Sequence, residues 1–124
     1  MRVLVTGGAN GLGHALVEKA LAAGVSVFVV DVDARGLQQL PSQVTRVMAD
    51  LGSEVDVAHA LACLADEPAF DLVQPHRALT HLRGKLVRRF ARHGSRQSIS
   101  LPGSYDPETF AVFLRQEVTA HAIR

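Results

Sequence analysis

The stretch Thr6-Gly7-Gly8-Ala9-Asn10-Gly11-Leu12-Gly13 constrains the fold more than any other in this chain. It lies between a β-branched apolar run, Arg2 to Thr6 (RVLVT), and a helical pattern. In that pattern Leu12, Leu16, Ala20 and Ala23 fall on one face until Gly24 ends it. The order is therefore strand, tight turn, helix. Three glycines, Gly7, Gly11 and Gly13, suit such a turn for separate reasons. One allows the sharp bend, one keeps a Cβ out of the path of a pyrophosphate, and one lets helix and strand pack closely. The helix start then offers unpaired N–H groups and a favourable dipole to an anion. Glycine spacing alone is weak, because any tight strand-to-helix turn can use it. Context has to decide.

The next segments supply that context. Ser26 to Val30 (SVFVV) reads as a second strand ending in Asp31, followed by a short helical piece over Ala34–Leu40 that Pro41 breaks. Gln43 to Met48 reads as a third strand. Ser53 starts a helix with Asp56 at its third position, a capping-box arrangement, and Val55, Ala58, Ala62 and Ala65 fall along one side. Glu67-Pro68 ends that helix, and Phe70 to Val73 reads as a fourth strand. Continuous apolar strands alternating with helices predict an α/β fold, a parallel sheet of about four strands covered on both faces. Asp31 stands 24 residues after Gly7 at the end of the second strand. A carboxylate there accepts hydrogen bonds from both hydroxyls of an adenosine ribose and repels a 2′-phosphate, which favours NAD over NADP. The alternative is a solvated aspartate in a turn.

Composition narrows the class. The chain has 124 residues, 48% hydrophobic and 20% charged, which suits one globular domain. The single cysteine, Cys63, forms no internal disulfide and suits a reducing compartment. No apolar run approaches the ~18 residues of a membrane span, and Met1-Arg2 leads straight into a strand rather than a secretory signal. A cytoplasmic setting is expected. The charge is uneven: residues 1–73 hold four Lys/Arg against nine Asp/Glu, residues 74–124 nine against three. The chain's character changes at Gln74.

Met1 to Val73 resembles the N-terminal half of the short-chain dehydrogenase/reductase family, whose glycine motif has the T-G-x3-G-x-G form of Thr6–Gly13. The resemblance implies a Rossmann-like, doubly wound sheet and NAD-linked oxidation or reduction of an alcohol or carbonyl. It places Thr6, Gly7, Gly11, Leu12, Gly13 and Asp31 at the dinucleotide. Asp50 in MADL stands where a family aspartate contacts the adenine. Departures follow. The family's fourth strand runs into N-A-G, but here Gln74-Pro75-His76-Arg77 follows. Ile99 to Arg124 resembles the segment leading into and along the family's fourth helix, with Glu117 where a catalytic asparagine commonly stands. The family's catalytic serine and Y-x3-K lie beyond that helix, and Tyr105 is followed four residues later by Thr109, not lysine. The expectation is a fragment or altered member: a cofactor cradle with no catalytic residue of its own.

Three regions result: the nucleotide-binding half 1–73, an atypical basic segment 74–98, and a loop with an amphipathic helix over 99–124. In the last, Asp106-Pro107-Glu108 is a helix start and Phe110, Phe113, Leu114 and Val118 form the apolar stripe. The basic segment carries seven Lys/Arg and three His over Gln74–Arg96. Phosphates of nucleic acid or an anionic membrane would attract it, but with one aromatic, Phe90, and no binding motif neither is favoured. It is also what a local frameshift or insertion would leave. A non-catalytic module docking this arm on a partner or polyanion is the alternative function. The fourth strand's open edge invites self-association or a partner chain. His76, His81 and His93 match no zinc spacing, so no metal is expected. Glu117 and His121 read as the border of a helical stripe, and Cys63 as a small apolar residue.

Overall fold

Three apolar runs form the parallel strands β1 (Arg2–Thr6), β2 (Ser26–Asp31) and β3 (Thr45–Met48). The computed structural model describes residues 2–63, 72–74, 99–100 and 107–123. Within these, β4 (Leu72–Gln74) and β5 (Ile99–Ser100) complete a sheet of order β3-β2-β1-β4-β5, every pairing parallel. The expected doubly wound sheet is present, with one strand more than the four read from sequence. Ile99 and Ser100 pair with Leu72 and Val73, so the β4 edge expected to lie bare carries this short addition. Two residues are too few for periodicity to reveal.

The register places Val3 and Val5 of β1 beside Val27 and Val29 of β2, all buried on one face. Against that face lie helix α1 (Gly11–Ala22), through Leu16, Val17 and Ala20, and Leu37 of the short helix α2 (Ala34–Gln38). Helix α4 (Pro107–Ile123) joins them through Phe110 and Leu114, with Val118 half-buried beside them. Alternate residues Leu4, Phe28 and Val30 are buried on the opposite face. Helix α3 (Glu54–Cys63) carries the chain from β3 across to β4, and right-handed crossover places it on that opposite face. Among the described residues no helix is long and apolar enough to cross a membrane.

Helix ends follow the sequence signals in part. Gly24 closes α1 as expected: its N–H bonds to Leu21 O at 3.0 Å and the N–H of Val25 to Ala20 O at 3.3 Å, a Schellman closure. Ser53 Oγ accepts from Asp56 N at 3.4 Å, one half of the capping box. The other half is diverted, because the Asp56 carboxylate takes the Asp50 N–H at 2.8 Å while the Ser53 N–H goes to Asp50 O at 2.9 Å.

Helix α3 shows a clear correction. Val55, Ala58 and Ala62 are exposed, Val55 at 78%, whereas Val57 and Ala60 are buried; Ala65 lies outside the described residues. Alanine gives a weak periodic signal, so two faces of this helix look alike in sequence. The same rotation puts Cys63 outside. It is exposed, with Sγ 3.6 Å from His59 Nε2.

Candidate functional site

The strand order reverses beside β1, which has β2 on one side and β4 on the other. In doubly wound sheets ligands bind outside the carboxyl ends of the strands at such a reversal. The loop Gly7–Asn10 lies at that end of β1, directly before α1.

Its geometry is built from both sides. Thr6 is buried, and the next residue donates from Gly7 N to Val30 O at 2.8 Å, carrying the β1–β2 ladder one step past the strand. Gly11 adopts φ +57° with open space where a Cβ would project. At Gly13 the reason for glycine is contact. A Cβ there would stand 2.0 Å from Gly7 O and 3.0 Å from Gly8 Cα. Two further glycines matter that the motif reading passed over. A Cβ on Gly8 would meet Val29 at 2.9 Å and Val17 at 3.0 Å, and one on Gly36 would meet Ala9 Cβ at 2.8 Å. Gly36 therefore lets α2 sit against the loop.

Asp31 ends β2 half-buried, and both carboxylate oxygens are engaged. Oδ2 accepts from Ala9 N in the glycine loop at 3.0 Å, and Oδ1 from Asp33 N at 2.9 Å. Each oxygen has a second lone pair for an incoming donor. Asp33 caps α2 through Arg35 N and Gly36 N at 3.1 and 3.2 Å, and its other oxygen accepts from Asn10 Nδ2 at 2.5 Å. Asn10 is the N-cap residue of α1, yet its side chain makes no capping bond. The first α1 amide bonded back into the helix is that of His14, to Asn10 O at 3.2 Å. The amides of Gly11, Leu12 and Gly13 precede it and have no acceptor within the helix.

Asp50 lies exposed in the turn after β3, where its Oδ1 accepts from Gly52 N at 2.9 Å. The strand ends are tied here too, since Ala49 N donates to Asp31 O at 3.0 Å. Leu12 is exposed in the first turn of α1. Of the residues read from sequence, the structure thus gathers Thr6, Gly7, Gly11, Leu12, Gly13 and Asp31 about one loop, with Asp50 at the end of the next strand. The basic segment after Gln74, with His76, His81 and His93, lies outside the described residues. So do Tyr105 and the side chains of Phe113, Glu117 and His121. Among the described residues no group of three His, Cys, Asp or Glu could hold a metal.

Sequence reasoning missed Asn10 and Asp33. A signal existed for each: both precede a helix and are good N-cap types. Their pairing across 23 positions left none. The Asn10 amide, then the Gly36 N–H and the Arg35 backbone and charge, hold the Asp33 carboxyl below its ordinary value against the opposing effect of burial. With the folded value below the unfolded one, these bonds stabilise the fold above about pH 4 and are lost as pH falls through the folded value. Asp33→Asn keeps an α2 cap but does not titrate. Urea midpoints taken from about pH 5 down to pH 2 are expected to fall less steeply for Asp33→Asn than for the wild type. Parallel slopes would remove Asp33 from the acid response.

Comparison with known proteins agrees with this geometry. A family model described as short chain dehydrogenase matches residues 1–66. Cis-2,3-dihydrobiphenyl-2,3-diol dehydrogenase of Paraburkholderia xenovorans (strain LB400) is 35% identical over 90 residues, 68% of this chain and 32% of that protein. The chain thus spans about a third of that relative's length. A glucose/ribitol-type short-chain dehydrogenase/reductase from Brucella melitensis superposes with a TM-score of 0.65 at 17% identity, covering 97% of this chain and 66% of that one. UDP-glucose 4-epimerase of Thermus thermophilus, solved with NAD, gives 0.58 at 20% identity over 99% of this chain and 50% of that one. At these identities the two structures speak for the fold alone, whereas the model match takes in the glycine loop, Asp31 and Asp50 and extends over more than half of the sequence. The chain belongs to the short-chain dehydrogenase family.

Proposed function

We propose that this chain binds the adenosine and pyrophosphate part of NAD as the cofactor half of an oxidoreductase acting on an alcohol or carbonyl. The observation that carries this reading is the Asp31 carboxylate, fixed by Ala9 N at one oxygen and Asp33 N at the other. It has lone pairs left for two ribose hydroxyls beside a helix start whose cap side chain is turned away. The residues fit the group. The amides of Gly11, Leu12 and Gly13 would hold the pyrophosphate, with Thr6 and Gly7 shaping the turn, and Asp50 would serve the adenine. Two carboxylates, Asp31 and Asp33, within one turn of chain oppose a 2′-phosphate, which favours NAD over NADP. When bound, the nicotinamide supplies hydride transfer. This chain's own residues hold the adenosine and pyrophosphate end.

Titration of the full chain with NAD and NADP, followed by calorimetry, tests the reading. NAD is expected to bind more tightly than NADP. Asp31→Ala should weaken NAD roughly tenfold or more, the worth of hydrogen bonds to a charged acceptor. Unchanged NAD affinity in Asp31→Ala would remove the ribose role. Equal affinities for the two dinucleotides would remove the preference, and binding of neither would remove the function.

A further inference from the structure

Asn10 presents a contradiction. It has the extended backbone of an N-cap, φ −142° and ψ 163°, and asparagine is among the best capping side chains, yet it caps nothing. Its amide nitrogen instead donates to Asp33 Oδ2 across 23 positions. A carboxylate only accepts, so the nitrogen faces Asp33 and the Asn10 carbonyl oxygen, the atom that would cap α1, is held off Leu12 N and Gly13 N. Asp33 is itself fixed by capping α2, with both Arg35 N and Gly36 N on its other oxygen. Gly36 leaves room for the pair, since a Cβ there would lie 3.0 Å from both Asn10 Nδ2 and Asp33 Oδ2.

We infer that Asp33 is a positioning residue for dinucleotide binding: by holding Asn10 it keeps the first amides of α1 open to the pyrophosphate. The inference rests on the dinucleotide reading above and goes beyond it, because Asp33 touches no cofactor in that reading. A helix capped by its own side chain must break that bond before a phosphate can take the same N–H groups. The apparent affinity then falls by the fraction of molecules left uncapped. Without Asp33, Asn10 rotates onto Leu12 N or Gly13 N and becomes the cap its type favours.

The test uses the full chain and NAD, with amide hydrogen exchange as a readout that needs no ligand. In Asp33→Ala, NAD should bind about fivefold more weakly, the strength of a good N-cap expressed as an equilibrium constant. Exchange at Leu12 or Gly13 should slow at the same time. Adding Asn10→Ala to Asp33→Ala should restore both affinity and exchange, although the α2 cap is still missing. Loss of affinity that persists in the double variant would mean that Asp33 acts only by holding α2, and would overturn the inference. Unchanged exchange at Leu12 and Gly13 in Asp33→Ala would overturn it as well. If the wild type fails to bind NAD while the exchange pattern is as expected, the dinucleotide reading falls and the restraint on Asn10 stands.

Discussion

Gly13→Ala will destabilise the fold by about 3 kcal/mol or more, at the upper end of what overpacking costs. The added Cβ would lie 2.0 Å from Gly7 O and 2.8 Å from Gly7 C. Both atoms are backbone, so no rotamer change relieves the clash. Relief requires α1 to lift from the turn, and α1 carries Leu16, Val17 and Ala20 into the core. Gly11→Ala separates contact from conformation. Its Cβ would meet nothing within 4 Å, and its cost is that of a left-handed φ of +57°, about 1–2 kcal/mol. Urea midpoints at constant m read both values. If the two variants lose the same stability, the close approach of α1 to the turn is wrong.

Phe110→Ala is the second large effect, about 3–5 kcal/mol. Phe110 is fully buried in α4 and clusters with α1, β1 and β2, beside the equally buried Leu114. Truncation leaves a cavity between α4 and α1, and the flanking strands cannot close it without losing register. An ion pair also joins the two helices, Lys19 Nζ to Glu108 Oε1 at 2.8 Å, but Glu108 is largely exposed. Exposed pairs contribute at most about 1 kcal/mol, so Glu108→Ala should move the midpoint little. Equal losses in Phe110→Ala and Glu108→Ala would show that charge rather than packing docks α4.

The sheet was legible because its strands are continuous apolar runs and its helices begin and end on strong signals such as Gly24 and Pro107. Asp31 was legible for the same reason, since a carboxylate ending the second strand of such a pattern has a definite place. Helix α3 was misjudged at Val55 because three alanines, Ala58, Ala60 and Ala62, blur its faces, and only the packing of Val57 and Ala60 decides its rotation. Strand β5 was missed because two residues carry no period. The partners of Asp31 and Asp33 were beyond reach for another reason. Ala9 and Asn10 meet them across 22 and 23 positions, contacts that no local pattern encodes.

The bond from Ala9 N to Asp31 Oδ2 also says when the glycine loop takes shape. Half of what fixes the loop comes from the far end of β2, and the Gly7 N–H likewise waits for Val30. A segment stopping before Ser26 would hold every glycine of the motif and still lack both acceptors. The loop is thus set only once β2 has docked beside β1 in register. An anion bound at α1 would select molecules in which that docking is complete, and so would bolt the first two strands together.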